Sequence, residues 1–226
     1  MSLTRGSKNG ARTVGQPAAD AKPAMTGKLD WLLIGLVFVG GLSSLAVEMV
    51  AARLLAPFFG DSQFVWAVLI GLTLIYLTVG SYLGGRLADR APTALALSRL
   101  TALAAAFIGL IPVLSNPILN WTEQTFARAE SDISAGPLLA ALLLFALPVI
   151  LLGCVSPYAV RLRVSAVGKA GRTAGWLYAL STVGSIVGTF VPVFWLMPTY
   201  GTRATILIVA GLLMAVSAAG MIARGR

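Results

Sequence analysis

Six stretches of the chain contain no Asp, Glu, Lys or Arg: residues 31–47, 64–85, 100–122, 133–160, 173–202 and 204–223. Apolar residues follow one another within them without the period-two alternation of a half-buried strand, which predicts helices and not a barrel. A helix needs roughly 20 apolar residues to cross the hydrocarbon layer of a bilayer. Five runs reach that length directly. The first is short only because Glu48 cuts it, and continued to Pro57 it spans as well. The pattern therefore predicts an all-α membrane protein with six transmembrane helices, at about 31–57, 64–85, 97–115, 137–160, 174–197 and 203–223.

Turn chemistry suggests the boundaries. Gly84 and Gly85 are expected to end the second helix, and Thr93, after Pro92, to cap the third. Residues 115–136 read as the largest loop, with a short interfacial helix near Trp121, and "MPTYGTR" as a tight turn before the sixth span. Residues 1–28, rich in Gly, Ala, Ser, Lys and Pro, read as a disordered arm and not as a cleavable signal.

Composition agrees with this pattern. The 226 residues are 58% hydrophobic and only 11% charged, with a mean hydropathy of +0.87. Soluble domains carry about 25% charged residues, so this chain could not clothe a globule in water. The net charge of +9 would point to nucleic acid in a soluble protein. Here its distribution explains it. Arg5, Lys8, Arg12, Lys22 and Lys28 precede the first span; Arg86, Arg90 and Arg99 follow the second. Arg161, Arg163, Lys169 and Arg172 follow the fourth, and Arg224 and Arg226 lie in the tail at 224–226. Only Arg53, Arg128 and Arg203 fall on the other side, with Asp61, Glu123, Glu130 and Asp132. The positive-inside rule places both termini in the cytoplasm, with anionic lipid headgroups as a further partner of the basic side and no role for nucleic acid.

Two absences narrow the chemistry. The chain has no histidine, so imidazole-ligated haem, His-containing zinc sites and His-based catalytic dyads are excluded, and no cofactor or metal is expected. Its one cysteine, Cys154, lies within the fourth span as a small apolar filler. No G-x-G-x-x-G opens a helix after a strand, and no soluble segment is long enough for a Rossmann domain.

Candidate functional residues stand out against this apolar background. Glu48 and Arg53 interrupt the first span. Five residues separate them by about 140° around a helix, so each is expected to meet a partner on another helix. An ionisable group costs about 2.5–3.5 kcal/mol at the centre of a membrane helix. Cation binding, proton exchange and the holding of a helix junction all fit Glu48, while Arg53 can snorkel to the interface. Gly85, Arg86, Asp89 and Arg90 form a charged loop motif in which Asp89 can cap the next helix or pair with Arg99 or the 161–172 loop. Pro148, Pro157 and Pro192 are candidate helix breaks. Gly80 with Gly84, Ser181 with Ser185, and Gly184 with Gly188 have the spacing that lets two membrane helices approach closely, for static packing or for sliding.

"GRLADR" resembles the G-x-x-x-D-R/K core of the major facilitator signature, with Ala91, Pro92 and Thr93 where that signature continues with glycine and basic residues. Six helices with both termini inside resemble one half of such a transporter. A closer resemblance is to the membrane region of bacterial fused spermidine-synthase-like proteins. It is carried, in order, by "GGLSSLAVEMVAARLLAPFFGDSQFVW", "GSYLGGRLADR", "LLGCVSPYAVRL" and "GWLYALSTVGSIVGTFVPVFWLMPTYGTR", over roughly residues 32–223. In that family a cytoplasmic synthase-like domain follows the last helix, whereas this sequence ends at Arg226. The resemblance implies a multi-pass protein of the bacterial inner membrane, itself non-catalytic, that anchors a separate aminopropyltransferase-type partner. A half-transporter that dimerises to move a polyamine or another cation is the alternative, and a structural subunit of a larger membrane complex the third.

Overall fold

The computed structural model describes residues 27–128, 135–164 and 170–223; most of the basic arm, Glu130, Asp132, Lys169 and the tail lie outside the described residues. Every described element is helical: α1 (Gly27–Phe59), α2 (Gln63–Arg90), α3 (Ala94–Arg128), α4 (Ala135–Gly153), α5 (Val155–Arg163), α6 (Ala170–Val191), a π-helical turn (Pro192–Leu196) and α7 (Met197–Ile222).

Five segments are long and apolar enough to cross a membrane: Trp31–Phe59, Gln63–Arg90, Ala94–Phe126, Ala135–Arg163 and Ala170–Ile222. The expected count was six, and the difference lies in the last segment. Its 53 residues would extend about 80 Å if straight, against a hydrocarbon layer of about 30 Å. It is not straight. Gly201 has φ 82° and ψ 167°, a conformation open to glycine and strained for other residues.

Packing on either side of Gly201 runs in opposite directions. On the α6 side, Leu177 clusters with Leu33 and Leu36, Gly184 abuts Phe38 and Leu42, and Val193, just past α6, lies with Met49 and Arg53, so α6 runs parallel to α1. On the α7 side, Arg203 reaches Asn116, Ser217 reaches Thr101 and Gly220 abuts Ser98, so α7 runs antiparallel to α3. One end of the bundle is marked by an apolar cluster of Leu36 from the start of α1, Ala88 from the end of α2, Leu97, Tyr158 and Leu177, with Val216 packed on it. A larger cluster, from Val39 through Leu119 to Leu213, fills the rest.

Several boundaries differ from the sequence expectation. Gly84 does not end α2, because it is occupied by packing on Cys154. The helix continues to Arg90 and stops at Ala91, the residue before Pro92, where the proline ring disfavours helical backbone. Thr93 does cap α3, accepting from the Ala96 N–H at 3.2 Å. Nor does α3 end near 115. It runs 35 residues through Pro112 and Pro117 to Arg128, so the stretch near Trp121 is continuous helix and not a separate interfacial one.

Within α3, the buried hydroxyls of Ser98, Thr101, Ser115 and Thr122 all donate to carbonyls three or four residues back. Cys154, with helical backbone angles, separates α4 from α5 within the fourth span. Pro157 has no N–H to offer the Gly153 carbonyl, and the Ser81 hydroxyl approaches that oxygen instead, at a long 3.4 Å.

Two seams hold the bundle together. Between α1 and α6, a Cβ added at Gly41 would overlap the Ser181 carbonyl, one at Gly184 the Phe38 carbonyl, and one at Gly188 the Leu42 carbonyl. Between α2 and α4, a Cβ at Gly80 would overlap the Ile150 carbonyl. Lipid tails solvate leucine as well as another helix does, so close packing of small residues is what favours association. Gly184→Leu should therefore force the α1–α6 seam apart and destabilise the protein by about 1–3 kcal/mol. Gly85→Ala, whose Cβ would meet nothing within 4 Å, should be neutral or slightly stabilising. Thermal unfolding of both variants in mild detergent checks the contrast.

Candidate functional site

Where the two seams face each other, the helices leave a cleft of about 360 Å³. α1 contributes Gly40, Gly41 and Ser44; α2 contributes Ser81; α4 and α5 contribute Gly153 and Ser156; α6 contributes Tyr178, Ser181, Thr182 and Ser185. The lining is rich in hydroxyls and contains no charged side chain. Glycines place it there: by drawing the backbones together along each seam, they bring short polar side chains to the remaining gap.

The hydroxyls follow a repeated pattern. Gly80-Ser81-Tyr82-Leu83-Gly84 and Gly184-Ser185-Ile186-Val187-Gly188 are both G-S-x-x-G. In each, the serine turns to a glycine carbonyl across its seam: Ser185 Oγ donates to Gly41 O at 3.0 Å, and Ser81 Oγ approaches Gly153 O at 3.4 Å. Three residues beyond each acceptor glycine stands another cleft serine, Ser44 and Ser156. Ser44 is only 7% exposed, and its hydroxyl has no hydrogen-bond partner. Buried hydroxyls are ordinarily paired, and leaving one unpaired costs about 1–3 kcal/mol. Ser44 belongs to the wall of the cleft, but its unpaired oxygen is itself buried, as is that of the neighbouring Ser43.

Glu48 and Arg53 are not brought together. Glu48 lines a cavity of about 10 Å³ with Thr73, Tyr76 and Phe145, which is the scale of a single water. The Tyr76 hydroxyl is buried there without a partner, and Glu48 forms no hydrogen bond or ion pair among the described residues. Arg53 is exposed and lines a different cleft, of about 580 Å³, with Asp61 and Trp66. The Trp66 indole N–H donates to Asp61 at 2.9 Å.

The loop motif lies at the other end of the bundle. Asp89 pairs with Arg161 at 2.7 Å, while the Arg86 guanidinium stacks 4.2 Å over the Tyr82 ring. Gly85 faces open space and Arg90 is exposed. Beneath the ion pair, the buried Tyr158 hydroxyl donates to the Ala91 carbonyl, tying α5 to the end of α2. Of the prolines, Pro148 is accommodated inside α4 and Pro157 inside α5, while Pro192 opens the π-helical turn, which closes with Met197 N–H to Pro192 O. Among the described residues no group of three or more Cys, Asp and Glu side chains is placed to hold a metal.

The cleft hydroxyls went largely unseen in the sequence. Ser181, Ser185 and the paired glycines stood out by spacing, but Ser44 is one serine in an apolar run. The recurrence of G-S-x-x-G was the signal available.

At the basic end, Tyr158→Phe should cost about 1 kcal/mol, because a buried donor is lost. Asp89→Asn should cost less than about 0.5 kcal/mol, because both partners of the ion pair are solvent-exposed. Equilibrium unfolding in detergent orders the two. Compared with known proteins, the chain matches no family model, no curated protein and no solved structure.

Proposed function

We propose that the chain is a six-crossing module of an inner membrane, with both termini on the cytoplasmic face, that serves as one half of a carrier. The observation behind this reading is the hydroxyl-lined cleft with its unpartnered Ser44. The sixth crossing is supported by the break at Gly201 and by the opposite directions of α6 and α7.

The half-carrier arrangement is supported by the pairing of helices. Exchanging α1, α2 and α3 for α4–α5, α6 and α7 turns the α1–α6 seam into the α4–α2 seam. It also turns the α1–α7 contact into the α4–α3 contact and leaves α3–α7 in place. α1 and α4 run in opposite directions, with Gly40 against Val155 and Gly136 against Phe59, which supports an inverted repeat, although the α1–α3 contact has no α4–α7 counterpart. Substrate sites of such repeats lie between them near the bilayer midplane. A second copy facing the cleft would enclose it.

An uncharged lining suits a neutral polar solute, such as a polyol or an amide, better than a polyamine. Glu48 lies in a separate cavity and is not part of this cleft. The anchoring of a synthase-like partner, implied by the sequence resemblance, has no comparable feature of the described residues in its support.

Single cysteines in a Cys154→Ala background test the topology. Thr93→Cys and Ala223→Cys should label from one side of the membrane, and Ser62→Cys and Thr199→Cys from the other. Labelling of Thr199→Cys and Ala223→Cys from the same side would remove the sixth crossing. Proteoliposomes offered polyols, amides and spermidine test the carrier. At least one neutral solute should enter, and Ser44→Leu should slow its entry about tenfold or more by filling the cleft. If no solute moves, the carrier reading fails.

A further inference from the structure

The larger cleft around Arg53 lies at the end of the bundle opposite the Asp89–Arg161 pair and is separate from the hydroxyl-lined one. Its walls are α1, the first turn of α2 and the junction between the π-helical turn and α7. At about 580 Å³ it falls within the range of small-molecule sites, about 300–1,000 Å³.

Its chemistry is divided. Arg53 and Asp61 supply one positive and one negative charge, and most of the remaining surface is apolar, including Met49, Val193 and Met197. Arg53 makes no ion pair or hydrogen bond with any described residue, so its planar fork of donors is open. Asp61 accepts the Trp66 indole N–H on one oxygen, and its other oxygen carries no bond among the described residues.

We propose that this cleft binds a zwitterionic phosphodiester bearing an ammonium group, with the phosphate on Arg53 and the ammonium on Asp61. A guanidinium matches two phosphate oxygens at once, and a carboxylate oxygen accepts readily from an ammonium. The pairing of charges selects the ligand. A simple anion would gain Arg53 but meet Asp61, and a simple cation would do the reverse. Only a ligand with both charges satisfies both walls.

The bilayer itself offers such a group in the headgroup of phosphatidylethanolamine. Trp66 marks the depth, since tryptophan favours the membrane–water interface. The apolar lining fits the glycerol and the first carbons of the acyl chains. A soluble phosphodiester such as glycerophosphoethanolamine carries the same headgroup. This inference requires that the helices lie in a membrane but not that the protein transports anything, so a failed flux assay would leave it standing.

Native mass spectrometry of the full chain in mild detergent tests it, with phosphatidylethanolamine, phosphatidylglycerol and glycerophosphoethanolamine titrated separately. The wild-type protein should retain one phosphatidylethanolamine in preference to phosphatidylglycerol. Arg53→Gln should weaken its retention about tenfold. Asp61→Asn should abolish the preference while leaving phosphatidylglycerol bound. Arg53-dependent binding of glycerophosphoethanolamine alone would support the headgroup chemistry and assign it to a soluble ligand. Equal retention of phosphatidylethanolamine by wild type and Arg53→Gln, or no binding of either phosphatidylethanolamine or glycerophosphoethanolamine by the wild type, would overturn the proposal. Both residues are exposed, and unchanged thermal unfolding confirms that the variants are folded.

Discussion

Backbone contact across two glycine seams is the constraint on which the rest of this structure depends. In water, an apolar bundle would close on itself to hide its leucines. In lipid that incentive is absent, and many large apolar side chains here face outward, among them Leu74, Ile75 and Phe194. What favours one arrangement over others is the density reached where helices touch without side chains between them. Gly184 and Gly188 lie directly on α1, and Gly80 lies on α4. The cleft is what remains where these four helices cannot all meet. Its polar lining follows from the same selection for small residues, since serine is among the few side chains that both fit a seam and bond across it.

Much of this architecture was legible in the sequence, because it is written in composition. Charge-free runs marked the helices, but the partner on another helix expected for each of Glu48 and Arg53 is not found among the described residues: Glu48 faces a small cavity and Arg53 an open cleft. Lengths were less legible. Asn116 and Pro117 read as a loop, yet α3 passes through them, since a membrane helix can relinquish a backbone bond when local hydroxyls and neighbours compensate. Gly84 and Gly85 read as a stop, yet one packs and the other simply continues the helix. Glycine has several uses in a membrane helix, and only the facing surface decides among them.

The candidate site was the least legible part. A serine in an apolar run is unremarkable until its neighbours are known, and Ser44 differs from Ser185 in lacking a hydrogen-bond partner. Glu48, the most conspicuous residue in the sequence, occupies a space for one water, beside a tyrosine whose hydroxyl lacks a partner. Conspicuous charge and functional space are therefore distinct here. The first is set by the cost of ionisation in hydrocarbon, the second by where packing leaves a gap.

The hydroxyls of α3 bear on how such a protein is made. Ser98, Thr101, Ser115 and Thr122 each satisfy their donor within their own helix. That helix can leave the insertion machinery and wait in lipid without exposing an unpaired donor from these side chains. Ser185, by contrast, finds its acceptor on α1, a helix synthesised long before it. Assembly of the bundle is then ordered by chemistry as well as by synthesis: a self-sufficient helix can enter early, and a dependent one completes its bonding only on meeting a partner already in place.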